Sequence, residues 1–178
     1  MSADRNTTIR ASQLRNLTIT TEDIRPNSLS GNVLIDNTVS GSELTNNIIL
    51  YNDILTTSGS YSGEVLIAVV DDAQTIFGDT LYQGADFHYE RADAASSGTA
   101  PALAIAVENG SGSKRILLRG QVCNTGWNWS AGYIYLATIS GGLTQSPSTN
   151  EGNQIQPLGW ALSANTIFFT GHIGVGEI

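Results

Sequence analysis

The sequence predicts a mainly β protein in two parts: an extended pentad-repeat arm over residues 1–57, then a β-sandwich or small β-barrel over 58–178. Three observations predict it. An apolar residue recurs every five positions through the first third of the chain. Short apolar runs split by Gly, Asn and Ser fill the remainder. Only 13% of the 178 residues are charged, against roughly 25% in an average soluble domain. A polar but weakly charged surface of Asn, Ser, Thr and Gly suits β structure and assembly.

The repeat comprises Ile9, Leu14, Ile19, Ile24, Leu29, Leu34, Val39, Leu44, Ile49 and Ile54, ten consecutive positions at a spacing of five. A period of five matches neither a helix at 3.6 nor a strand at 2. Asn stands two residues before the apolar position at Asn27, Asn32, Asn37, Asn47 and Asn52, and Pro26, Gly31 and Gly41 punctuate the run. One apolar side chain in five cannot bury a core alone, so the segment must either wrap into a single-chain solenoid or intertwine with copies of itself. A disordered polar linker would waste so regular a spacing. Arg5, Arg10, Arg15 and Arg25 share the register. They form either a solvated edge or a docking edge for an acidic protein surface.

Beyond Gly59 the pattern changes. EVLIAVV (64–70) is strand-like and ends at Asp71-Asp72. ALAIAVE (102–108) and KRILLRGQV (114–122) flank Asn109-Gly110, a hairpin signal. YIYLATI (133–139) stops at Gly141-Gly142, QIQPLGWAL (154–162) carries Pro157 and so predicts an edge or bulge, and TIFFTGHIGV (166–175) is the last run. Short strands separated by turn residues predict a sandwich or barrel. Only 71–83 is ambiguous between helix and loop.

The composition excludes several functions. One cysteine, Cys123, rules out an internal disulfide framework and a cysteine zinc cluster. A single lysine and a net charge of −8 are not the footprint of a nucleic-acid binder. No apolar run spans a membrane, and the N-terminus has no apolar signal-peptide core.

Individual motifs offer little chemistry. Trp127-Asn128-Trp129, with Tyr133 nearby, is read either as core aromatics or as a stacking surface for a glycan. Asp86, His88 and Glu90 share a face if extended, but a solvated polar face is the reading preferred over a metal site. Gly171 to Gly176 reverses the dinucleotide fingerprint and lacks its helix, and Gly110 to Lys114 lacks the phosphate-loop spacing. Cys123 is expected to be a buried, inert thiol. No catalytic residue, cofactor or metal ligand is predicted.

Two resemblances point further. The pentads resemble the repeats in shafts of phage and bacterial tail-fibre proteins, and more loosely the pentapeptide-repeat β-helix. Residues 99–169, with A-P-A-L-A-I-A, K-R-I-L-L-R-G, W-N-W, G-Y-I-Y-L, G-G-L-T-Q and G-W-A-L-S-A-N-T-I-F-F, look like a domain common at the C-termini of tailed-phage fibre and head-decoration proteins. The resemblance implies a non-enzymatic virion structural protein on the virion surface. It implies an intertwined homotrimeric shaft and a partner in the major capsid protein or another virion protein. The expected role is capsid decoration or cement, or a head fibre. The alternative is a short tail fibre that contacts a host glycan. No nucleic-acid or membrane partner is expected.

Overall fold

The computed structural model describes residues 53–171 and 174–177. The chain divides between Ile48 and Ile49, and all described residues lie in the second unit. They contain eleven strands and no helix: β1 (Ser60–Val70), β2 (Thr80–Gln83), β3 (Tyr89–Arg91), β4 (Ala104–Ala106), β5 (Gly112–Cys123), β6 (Tyr133–Leu136), β7 (Leu143–Thr144), β8 (Gln154–Ile155), β9 (Pro157–Ala161), β10 (Thr166–Phe169) and β11 (Gly176–Glu177). The ambiguous 71–83 stretch resolves into turns followed by β2. Its three aspartates, Asp71, Asp72 and Asp79, and Gly78 favour turns over a helical run.

Nine strands form one sheet in the order β1-β3-β2-β4-β5-β10-β9-β6-β7, while β8 and β11 form a separate pair. The long strands β1 and β5 also pair with each other in antiparallel fashion. This closes a ring of five strands: β1, β3, β2, β4 and β5. The closing contact at β3 is parallel and brief, Val70 opposite Tyr89. Inside the ring lie Val70, Leu81, Tyr89, Ala104, Ala106 and Ile116. Two alanines two residues apart on β4 keep that interior narrow enough for Leu81 and Ile116 to fill.

A larger core gathers Ile105, Leu117, Val122, Ile134, Leu136, Leu158, Ile167 and Phe169 with Ala92, Ala94 and Ala102. Burying each of the large side chains contributes on the order of 2 kcal/mol. The β5 strand serves both cores because its two halves have different neighbours. Ile116 and Leu117 pair with β4, whereas Gly120 to Cys123 pair with β10. Between these halves Gly63 faces Gly120, and a register shift follows at Glu64/Val65. The glycine pair lets the ribbon bend where it passes from ring to open sheet.

Pro157 opens β9 beside a second register shift, where Ile134 faces Gly159 and Tyr135 faces Pro157. That is the bulge its missing N–H predicts. Gln156, fully buried, continues the ladder with its side chain. Its Oε1 accepts from Ala102 N–H at 2.8 Å, and its Nε2 donates to Ala102 C=O at 2.9 Å. A buried backbone pair is thereby satisfied where no strand reaches it.

The chain enters this domain under restraint. Leu55 N–H donates to Gln121 Oε1 at 3.2 Å, Gln121 Nε2 donates to Asp53 C=O at 3.2 Å, and Thr166 Oγ1 donates to Leu55 C=O at 2.6 Å. Thr125 N–H donates to Ser58 Oγ at 3.1 Å, and Gly59 N–H to Cys123 C=O at 2.9 Å.

Candidate functional site

The most distinctive surface is β1 itself. Its apolar run is a strand, as the sequence predicts, but the run is not buried. Val65, Leu66, Ile67 and Val69 are 38%, 42%, 69% and 39% exposed. Alternation explains which way each points. Ala68 and Val70 turn into the ring, so Val65, Ile67 and Val69 turn outward. Among the described residues, β5 is the strand paired with Ser60 to Val69, and β3 reaches β1 only at Val70. Among the described residues, no second strand pairs with β1 along Val65 to Val69. Arg115 stands opposite Ile67 and is tied to Glu108 at 2.8 Å. That ion pair is a charged rim beside the apolar stripe.

A shallow groove of about 350 Å³ lies at the base of the same strand, between residues 53–57 and Ser60 and Ser62. Ile54, the last pentad position, is half exposed at its margin. The nine other pentad residues, Ile9, Leu14, Ile19, Ile24, Leu29, Leu34, Val39, Leu44 and Ile49, lie outside the described residues, as do Arg5, Arg10, Arg15 and Arg25.

The aromatic candidates separate. Trp127 and Trp129 pack against the larger core, their rings 5.6 Å apart and tilted by 50°. Tyr133 is 66% exposed and stands opposite Trp160, which stands opposite Phe168. This row crosses β6, β9 and β10 on one face. Trp160 and Phe168 stack at 4.9 Å with 18° between planes. Sequence reading missed Trp160 and Phe168 because they become neighbours only through strand register.

The His88 loop is also rearranged relative to expectation. β3 starts at Tyr89, so Asp86 and His88 sit in the preceding turn and Glu90 does not join them. The third member of the cluster is Asp71, beyond the end of β1. His88 Nδ1 lies 3.0 Å from both Asp71 carboxylate oxygens and 3.5 Å from Asp86 Oδ2. The three groups are close enough together to contact one divalent cation. Asp71 and Asp86 are exposed and His88 partly so, however, and the imidazole is already engaged by Asp71, so the cluster closes the loop by a hydrogen bond that becomes an ion pair when His88 is protonated.

The hydrogen bond that His88 Nδ1–H donates to Asp71, helped by the charges of Asp71 and Asp86, raises the His88 pKa above its ordinary 6.5. A raised folded value makes the pairing stabilise the loop fully below the unfolded pKa. That contribution is lost as pH climbs through the folded value. Asp71→Asn is expected to return the His88 titration toward 6.5. Imidazole NMR shifts followed against pH check this, and an unmoved midpoint would show that Asp71 does not set it.

Elsewhere ionic contacts serve the scaffold. Arg91 Nε donates to Asp72 at 2.6 Å and holds that carboxyl below the usual range. Burial pushes the half-buried Asp79 carboxyl up. Its Oδ2 accepts from Ile76 N–H at 2.9 Å. Cys123 is fully buried within β5. Asn109 and Gly110 lie in the turn between β4 and β5, where Asn109 Oδ1 accepts from Phe77 N–H at 2.7 Å.

No family model, curated protein or solved structure matches the chain. The surface geometry and the repeat therefore carry the functional reading.

Proposed function

We propose that this chain is a homotrimeric structural protein of a tailed-phage virion. Its arm forms an intertwined shaft and its β domain stands outward as a knob, a closed-ring variant of the small barrel. The role is capsid decoration or cement, or in its extended form a head fibre, at the virion surface. The observation that carries the reading is the ten-position pentad run leading directly into a strand whose apolar residues are exposed. Both features need partners to bury them, and a repeat favours identical partners.

The mechanism is mechanical. Apolar pentad positions bury against sister arms. About 45 extended residues reach on the order of 150 Å, enough to bridge neighbouring subunits. Arg5, Arg10, Arg15 and Arg25 supply a basic edge toward an acidic capsid surface. Charge supports this division. Residues 1–57 hold four basic and six acidic residues, a net of −2, while 58–178 hold four and ten, a net of −6.

A second reading is a short tail fibre whose knob contacts a host glycan. The exposed Tyr133 beside Trp160 favours it. The stacking of Trp160 on Phe168 weighs against it, since it turns ring faces toward each other rather than toward a sugar. Mass-spectrometric quantification in purified virions, relative to the major capsid protein, separates the two. Hundreds of copies per particle are expected for cement. A few trimers per particle would replace that role with the tail fibre, and absence from virions would end both.

A further inference from the structure

We infer that the Val65–Ile67–Val69 stripe of β1 packs against the same stripe on further copies of this chain. The inference rests on the assembly reading above and adds the surface within the β domain that copies share.

The stripe is unusual for a free surface. Scattered exposed apolar residues need no explanation, but three outward residues on one face of one strand form a contiguous patch. Among the described residues, the second edge of β1 is unpaired by any strand from Val65 to Val69. Natural edge strands are normally blunted with Lys, Pro or an inward charge. Between Val65 and Val69 this strand has none of these; its bulge and its charge, Glu64, stop short of the stripe.

The chain preceding the described residues identifies the occupant. Fifty-two residues lead to Asp53, with an apolar position every fifth residue. Five is an odd number. In an extended chain, where side chains alternate, consecutive pentad positions fall on opposite faces. One arm laid flat on one surface would bury only every second position. Copies wound around each other cover both faces. Arms joined in that way deliver their β domains together, because the last pentad residue, Ile54, stands only eleven residues before Val65.

Tethering of this kind raises the local concentration of one β1 near another to roughly the millimolar range. Charge selects where the domains touch. Ten acidic and four basic residues give residues 58–178 a net charge of −6, which opposes close approach of two domains in general. The stripe is uncharged, and its rim, Arg115 with Glu108, is internally neutralised.

The test uses the full chain, with two variants at position 67 and one control. Sedimentation of the wild type is expected to show an oligomer. Under oxidation, Ile67→Cys is expected to form inter-chain disulfides. Ile139→Cys, equally exposed but on the loop after β6, is expected to stay single. Ile67→Asp is expected to weaken self-association by about tenfold or more with an unchanged circular-dichroism spectrum. An oligomeric Ile67→Cys protein that fails to cross-link overturns the shared stripe while leaving the assembly reading intact. So does an Ile67→Asp protein that self-associates like wild type, which would place the arm or another virion protein on the stripe. A monomeric wild type overturns both.

Discussion

Gly120→Ala is expected to lower the stability of the β domain by about 4 kcal/mol, near the top of the range for single substitutions. A Cβ on Gly120 would meet the Ser62 carbonyl oxygen at 2.1 Å, and the reciprocal Cβ on Gly63 would meet the Arg119 carbonyl oxygen at 2.0 Å. These obstacles are backbone atoms of the paired strand, fixed by the β1–β5 ladder, so no side chain can swing aside. The φ angles of 144° and 150° are themselves unfavourable for a residue with a side chain. A typical domain has only ~5–15 kcal/mol in hand. The alanine variant should therefore unfold at much lower urea, and a valine variant should not fold. Urea denaturation of both checks this. A Gly120→Ala midpoint equal to wild type would show that β1 and β5 do not approach as described.

If the proposed assembly holds, replacing Leu29, Leu34 and Val39 together with Asp is expected to abolish trimerisation or capsid attachment. The three positions are consecutive pentads, so in an extended arm the change would put charge on both faces. Each carboxylate would have to be desolvated against its counterparts in sister chains, and like charges held close in a dry interface cost several kcal/mol. The β domain should remain folded, because these positions lie outside the unit that contains both of its cores. Sedimentation and co-purification with capsids measure the outcome. Unchanged assembly would remove the pentad positions from the interface.

Much of the strand layout was legible because it depends on local signals. EVLIAVV, KRILLRGQV, YIYL and TIFF each combine β-branched or aromatic residues with flanking Gly, Asn or Ser, and each became a strand. Pro157 marked its own bulge. Pairing was less legible. Nothing local announces that β1 joins β5 along its whole length and meets β3 in parallel at Val70, so the ring could not be read from the runs. The exposure of Val65, Ile67 and Val69 was hidden for a related reason. A continuous apolar strand reads as buried on both faces, and only the neighbours it lacks show otherwise. The His88 cluster was misassembled because its decisive member, Asp71, is 17 residues away in sequence and arrives there through the β1–β3 contact. Trp160 and Phe168 were overlooked for want of a register, whereas Trp127 and Trp129 drew attention by their proximity in sequence.

The hydrogen bonds at the domain entrance act as a strain relief. A pull transmitted along the chain to Asp53 first meets Gln121 and Thr166, then Ser58 and Gly59, before it reaches the β1–β5 ladder. Gln121 and Thr166 belong to β5 and β10, so the load passes into the middle of the sheet instead of peeling its outermost strand bond by bond. A domain anchored in this way takes tension from the preceding chain on side-chain hydrogen bonds of two central strands before its longest ladder is loaded.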